Sequence, residues 1–167
     1  PAKPAPITAP VSTPQTPVQA PAQTVAPAKP AAVPTVSPAL NGQRFYRKCI
    51  ACHQKDGAGI PGSFPSLNQA IDVLAASDAG RTYLVSVVNN GLRGDLKTKR
   101  GNFKGIMVRQ AGGKSAEDVA DLLNYILDDF YDNSSVKKFT GQEVQTIMET
   151  QGRMSGDKVL ALRPVDG

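Results

Sequence analysis

The run Cys49-Ile50-Ala51-Cys52-His53 contains both cysteines and the one histidine of a 167-residue chain. On a helix, thiols three apart face the same way, and an imidazole one residue further on can reach the same side. The spacing C-x-x-C-H is the attachment signature of c-type haem: two thioethers to the vinyl groups of one porphyrin, with the imidazole on the iron. Three other readings compete. A structural zinc site takes four Cys or His ligands, and this chain offers three in all. A redox-active C-x-x-C pair belongs at a strand–helix junction of an α/β fold, and no such pattern surrounds it. A disulfide across two intervening residues is geometrically awkward and leaves His53 without a role.

With His53 used on one side of the iron, no second histidine exists for the other. A methionine thioether is the usual alternative, and there are three: Met107, Met148 and Met154. Met148 falls on an apolar helical stripe, where a packing role is expected. Met154 lies in a polar terminal stretch. Met107 lies in a glycine-rich stretch whose backbone can approach a flat ligand closely. It is the expected second ligand; the competing reading is a loop residue plugging the pocket of a five-coordinate iron.

Working outward, residues 41–50 read as a short helix leading into the cysteines, and residues 57–65, rich in Gly and Pro, as an irregular loop. Residues 71–76 suit a helical turn or two. In residues 81–90, Tyr83, Leu84, Val87 and Val88 have helical spacing, with Gly91 as a stop. Residues 92–113 carry five glycines and no clear period, which predicts a long functional loop. The strongest helix follows. Ser115 and Asp118 form a capping pair, and Val119, Leu122, Leu123, Ile126, Leu127 and Phe130 make one apolar face. A last helix starts at Thr140, whose pairing with Glu143 matches a capping box, with Val144, Ile147 and Met148 inward. No alternating strand is evident, so the fold is expected to be all-α.

Residues 1–40 contain eleven of the fourteen prolines, ten alanines and only two charges, Lys3 and Lys29. Such a segment cannot bury enough apolar surface to offset its ordering entropy and is expected to be a disordered or polyproline-like tether, spanning about 3 Å per residue. Residues 41–133 are expected to form the core domain and residues 134–167 a C-terminal helical extension that packs on a partner or on the domain. No Trp is present, and a buried haem would supply the missing apolar bulk. No apolar run is long enough to span a membrane. The chain begins on Pro1, so an upstream signal, anchor or partner domain is expected. A net charge of +5 suits an acidic partner surface; nucleic acid fares poorly, since no basic–aromatic stripe or binding motif accompanies the charge.

The segment from Phe45 through Cys49, Cys52 and His53, then Asp56-Gly57-Ala58-Gly59-Ile60-Pro61-Gly62-Ser63-Phe64-Pro65-Ser66-Leu67, resembles the haem-binding helix and following loop of class I cytochromes c. The stretches Asn90-Gly91-Leu92, Gly94, and Gly101 through Met107 are similar to that family's approach to its methionine ligand. Ser115 through Ile126 resembles its terminal helix, which crosses the first near Phe45. The resemblance implies a cytochrome c fold, with the Pro65 carbonyl accepting from the His53 ring, Leu67 lining the pocket, and His53 and Met107 on the iron. The family's methionine is commonly followed by proline; Val108 stands there instead, and the loop is less stiff for it.

The expected function is a single-electron carrier, not an enzyme. It would shuttle between a donor dehydrogenase or quinol-oxidising complex and a terminal reductase or oxidase. The alternatives are a cytochrome subunit or domain of a larger redox enzyme, and a five-coordinate haem peroxidase or gas sensor. Between Arg93 and Lys114 stand seven basic residues against Asp95 alone, an expected docking patch for redox partners. By resemblance, haem c is attached outside the bacterial cytoplasm, so a periplasmic location is expected, with a possible tether to a membrane or larger enzyme.

Overall fold

A computed structural model describes residues 37–131 and 135–164. The Pro/Ala-rich stretch expected to act as a tether lies, through residue 36, outside the described residues. The Ser37 hydroxyl accepts from the Leu40 N–H and Pro38 takes a first-turn position, so helix α1 (Pro38–Tyr46) begins before residue 41. Ser at the N-cap followed by Pro is a favourable helix start. The helix does not run on to the cysteines. The N–H groups of Lys48 and Cys49 bond back three residues, to Phe45 and Tyr46, a tighter turn that leads into a separate short helix, α2 (Ile50–His53).

Two further helices follow, α3 (Ile71–Ala75) and α4 (Asp78–Asn90), the latter capped by Ser77 and ended at Gly91. Helix α5 (Ala116–Asp129) carries the complete Ser115–Asp118 capping box, and Val119, Leu122, Leu123, Ile126 and Leu127 are all buried. Helices α1 and α5 cross closely. A Cβ on Gly42 would sit 2.2 Å from the Asp121 carbonyl oxygen, and the Asn41 side-chain amide donates to both Asp118 and Asp121 at 2.8 Å. Tyr46 packs its ring on Tyr125 and Phe130, at centroid distances of 5.6 and 5.2 Å.

The fold is mostly helical but not all-α. Residues expected to form a loop are instead an antiparallel hairpin of β1 (Leu92–Thr98) and β2 (Gly101–Met107), in register Leu92↔Met107, Gly94↔Gly105 and Leu96↔Phe103. One face alternates Leu92, Gly94, Leu96 against Phe103, Gly105, Met107. The opposing face carries Arg93, Asp95, Lys97, Asn102, Lys104 and Ile106. A two-residue period was therefore present, masked because glycine fills the middle of the apolar face in both strands.

Beyond residue 134, α6 (Gly141–Gln151) packs on α4 and α5. Thr140 Oγ1 accepts from the Glu143 N–H at 3.2 Å. The reciprocal half of the expected capping box is replaced, because the Glu143 carboxylate pairs with Arg81 of α4. A further helix, α7 (Gly156–Ala161), lies on β1 and α4; its six residues, starting on Gly156, gave no sequence signal. Val144 and Val159 are fully buried and belong to the same core as Phe45, Leu122 and Val85. Met154, within its polar stretch of sequence, is half-buried against that core, and its N–H donates to the Asn90 side-chain carbonyl at 3.3 Å.

Candidate haem site

Cys49, Cys52, His53, Pro65 and Met107 line one cavity of about 490 Å³, a cofactor-sized space. Its other walls include Phe64 and the apolar face of the hairpin (Leu92, Gly94, Leu96, Phe103 and Gly105), and Lys48, Gly62, Ser63, Lys104, Ile106, Val108 and Gln110 complete the lining. The turn after α1 places Cys49, whose carbonyl accepts from the His53 N–H at 2.8 Å, so α2 carries Cys52 and His53 round to the same cavity. The two cysteine sulfurs are not joined to each other. Burial, with Cys52 adding to it, pushes the Cys49 thiol up to about 11. Among the described residues, no group of three or more His, Cys, Asp or Glu is placed to hold a metal ion.

His53 is buried, with Nδ1 2.9 Å from the Pro65 carbonyl oxygen. A carbonyl only accepts, so Nδ1 carries the proton and Nε2 keeps its lone pair. Burial also holds the imidazolium form down, against the opposite pull of the Pro65 bond. The loop that supplies Pro65 is itself tied. Gly59 donates to the His53 carbonyl at 3.0 Å, and Ile60 and Phe64 exchange two backbone bonds of 2.8 Å each.

Met107 is half-buried at the end of β2, paired with Leu92. Of the three methionines, it alone lines the cavity. Leu67 does not line it. That side chain packs against the protein core, and its carbonyl accepts from the Tyr131 hydroxyl at 2.6 Å. Sequence reasoning missed Leu92, Leu96, Phe103 and Gly105 as walls; the alternation at 92/94/96 and 103/105/107 was the available signal. A Cβ added at Gly105 meets nothing within 4 Å, so the middle of the hairpin leaves room for a flat group against its backbone. Two thiols, a neutral imidazole with its far nitrogen uncommitted, a thioether and an apolar slot together fit covalent haem. Their arrangement on helices around that slot defines a mono-haem c-type cytochrome.

Comparison with known proteins agrees. The cytochrome c family pattern matches residues 39–128. Two relatives, both cytochrome c-552 and both from Thermus thermophilus, are each 35% identical over 126 residues. The match covers 74% of this chain and 94% and 83% of the relatives. The chain belongs to the cytochrome c family. It is an electron-transfer protein whose cofactor is covalently attached haem c, held through the Cys49–His53 motif region.

Proposed function

We propose that His53 and Met107 are the two axial ligands, and that the protein carries single electrons from a dehydrogenase or quinol-oxidising complex to a terminal reductase or oxidase. The observation that carries this reading is the convergence of His53 and Met107, from separate elements, on the cavity that both cysteines line. When bound, haem supplies the one-electron iron chemistry. The protein's part is to hold and tune it. The Pro65 carbonyl fixes the imidazole's tautomer and raises its basicity. A Met107 thioether favours ferrous over ferric iron, and the apolar hairpin face disfavours the extra charge of the ferric state; both raise the potential.

The test is Met107→Ala in the matured holoprotein. The midpoint is expected to fall by about 0.1–0.2 V, within the ~0.8 V range that axial ligands span, and the ferrous protein to bind carbon monoxide rapidly. An unchanged midpoint would end the Met107 assignment.

Docking is proposed at the hairpin, with an acidic partner surface. Arg93, Lys97, Lys99, Arg100 and Lys104 are charged side chains carried on it, and Ile106 and Val108, 59% and 67% exposed, flank Met107. The Asp95–Lys104 pair, at 3.6 Å and largely exposed, takes little from the positive field. With hexacyanoferrate(III) as an anionic probe, the oxidation rate is expected to fall about tenfold or more as ionic strength rises from about 0.01 to 1 M and the Debye length shrinks from about 30 to 3 Å. A Lys97→Glu, Lys99→Glu, Arg100→Glu variant should flatten that dependence. A wild-type profile already flat would retire the docking proposal. The periplasm is the proposed location, because covalent haem attachment is a chemistry of that compartment. The Pro/Ala composition of the N-terminal stretch supports a tether to a membrane or a larger enzyme, which would raise the effective concentration of the carrier.

A further inference from the structure

The wall of the cavity that bears Met107 is braced from behind by the C-terminal segment. A Cβ on Gly156, the first residue of α7, would lie 2.6 Å from the Arg93 nitrogen and 2.8 Å from the Leu92 carbonyl carbon, so α7 abuts the backbone of β1 directly. One turn on, Leu160 covers Gly94. A Cβ there would lie 2.9 Å from Leu160 Cδ2, and Gly94 has φ +119°, a conformation L side chains rarely adopt. Leu92, at this contact, is the register partner of Met107. The link preceding α7 is fixed as well. Asn90, at the end of α4, donates to the Gly152 carbonyl at 3.2 Å and accepts from the Met154 N–H at 3.3 Å. The segment after Met107 returns to the same helix end: the Gln110 and Ala111 N–H groups donate to the Val88 carbonyl, and the Arg109 side chain to that of Asn89 at 2.7 Å.

We infer that Gly156 and Leu160 are positioning residues for the sixth iron ligand: α7 is a strut that holds the β1–β2 hairpin closed, and so sets how firmly Met107 stays on the iron. The inference rests on the reading of Met107 as a ligand. It assigns a role that Val108 leaves open. Where a proline after the methionine would stiffen the chain from within, this hairpin is stiffened from outside, by packing on a helix that follows the terminal helix of the family core. A hairpin with two opposed glycines at its centre is a weak element alone, and the strut supplies what it lacks.

The experiment uses the full-length holoprotein in four forms: wild type, Gly156→Val, Leu160→Ala, and Val144→Ala. The last is a core truncation in α6, which destabilises the fold without touching the hairpin. Two readouts are taken well below melting: the far-red sulfur-to-iron charge-transfer band of the ferric protein, and carbon monoxide binding to the ferrous protein. Gly156→Val and Leu160→Ala are expected to weaken the band and speed carbon monoxide binding about tenfold, a one-decade shift between closed and open hairpin. Val144→Ala should leave both unchanged despite a lower Tm. If Val144→Ala moves them equally, or neither α7 variant moves them, the strut is wrong. Met107→Ala run alongside separates the two claims: if it does not abolish the band, the ligand reading itself has failed.

Discussion

A Cys49→Ser, Cys52→Ser double variant is expected to be recovered with the mass of bare polypeptide, no Soret absorption, and little of the native helical circular dichroism. Covalent attachment needs both sulfurs at this spacing, and His53 alone gives no covalent hold. The loss of fold follows from the cavity. Without the cofactor, a space of about 490 Å³ lined by Leu92, Phe64, Phe103 and Met107 is left to water, and the apolar burial those walls would gain is lost, in a domain held by only ~5–15 kcal/mol. Phe103, half-buried on the cavity lining, would be left facing solvent without the cofactor. Recovery of a native-like, cooperatively melting chain without the cofactor would show that the polypeptide carries its own core, contrary to this reading.

The second large effect is expected at Arg81. Its side chain is buried, and all five of its N–H donors are used: two on the Glu143 carboxylate, and three on the carbonyls of Ala75, Lys137 and Lys138 at 3.1, 2.8 and 3.2 Å. The guanidinium also lies 3.8 Å from the centre of the Phe139 ring. One side chain thus ties α3, α4, the 137–139 segment and α6 together. Arg81→Met keeps the bulk but strands a carboxylate and three carbonyls, which costs about 3–5 kcal/mol and should lower Tm by roughly 10–20 °C. Arg81→Lys should recover little of this, since an ammonium cannot reproduce the planar fork. The pH dependence has a definite sign. The Arg81 hydrogen bond holds the Glu143 carboxyl below its ordinary value of 4.5. Its contribution to stability is therefore present above about pH 4.5 and lost as pH falls through the lower, folded-state value. The Tm gap between wild type and Arg81→Met should narrow over that acid range. Equal melting of the two proteins at neutral pH would contradict the assignment.

The chemistry was legible in sequence because it is local. C-x-x-C-H puts two thiols and an imidazole on one side of one turn whatever surrounds them, and the Ser115–Asp118 cap and the stripe through α5 are likewise properties of neighbouring residues. The Pro65 carbonyl, twelve residues from His53, was expected only through the family resemblance. The hairpin was not legible, because glycine stands at the middle of its apolar face in both strands. Leu92 and Leu96 on one strand, and Phe103 and Met107 on the other, flank Gly94 and Gly105, which breaks the run of large apolar residues that marks a strand. Arg81 carried no signal and Glu143 read as a capping residue, until the fold brought residues sixty-two apart into one part-buried pair. The same holds for α7, which lacks a side-chain cap bond and a periodic stripe and is stabilised by packing on β1. Short-range stereochemistry thus determined that this chain grips a haem and where the main helices lie. Which wall closes over that haem, and what braces the wall, depends on contacts distant in sequence, and only the tertiary structure decided them.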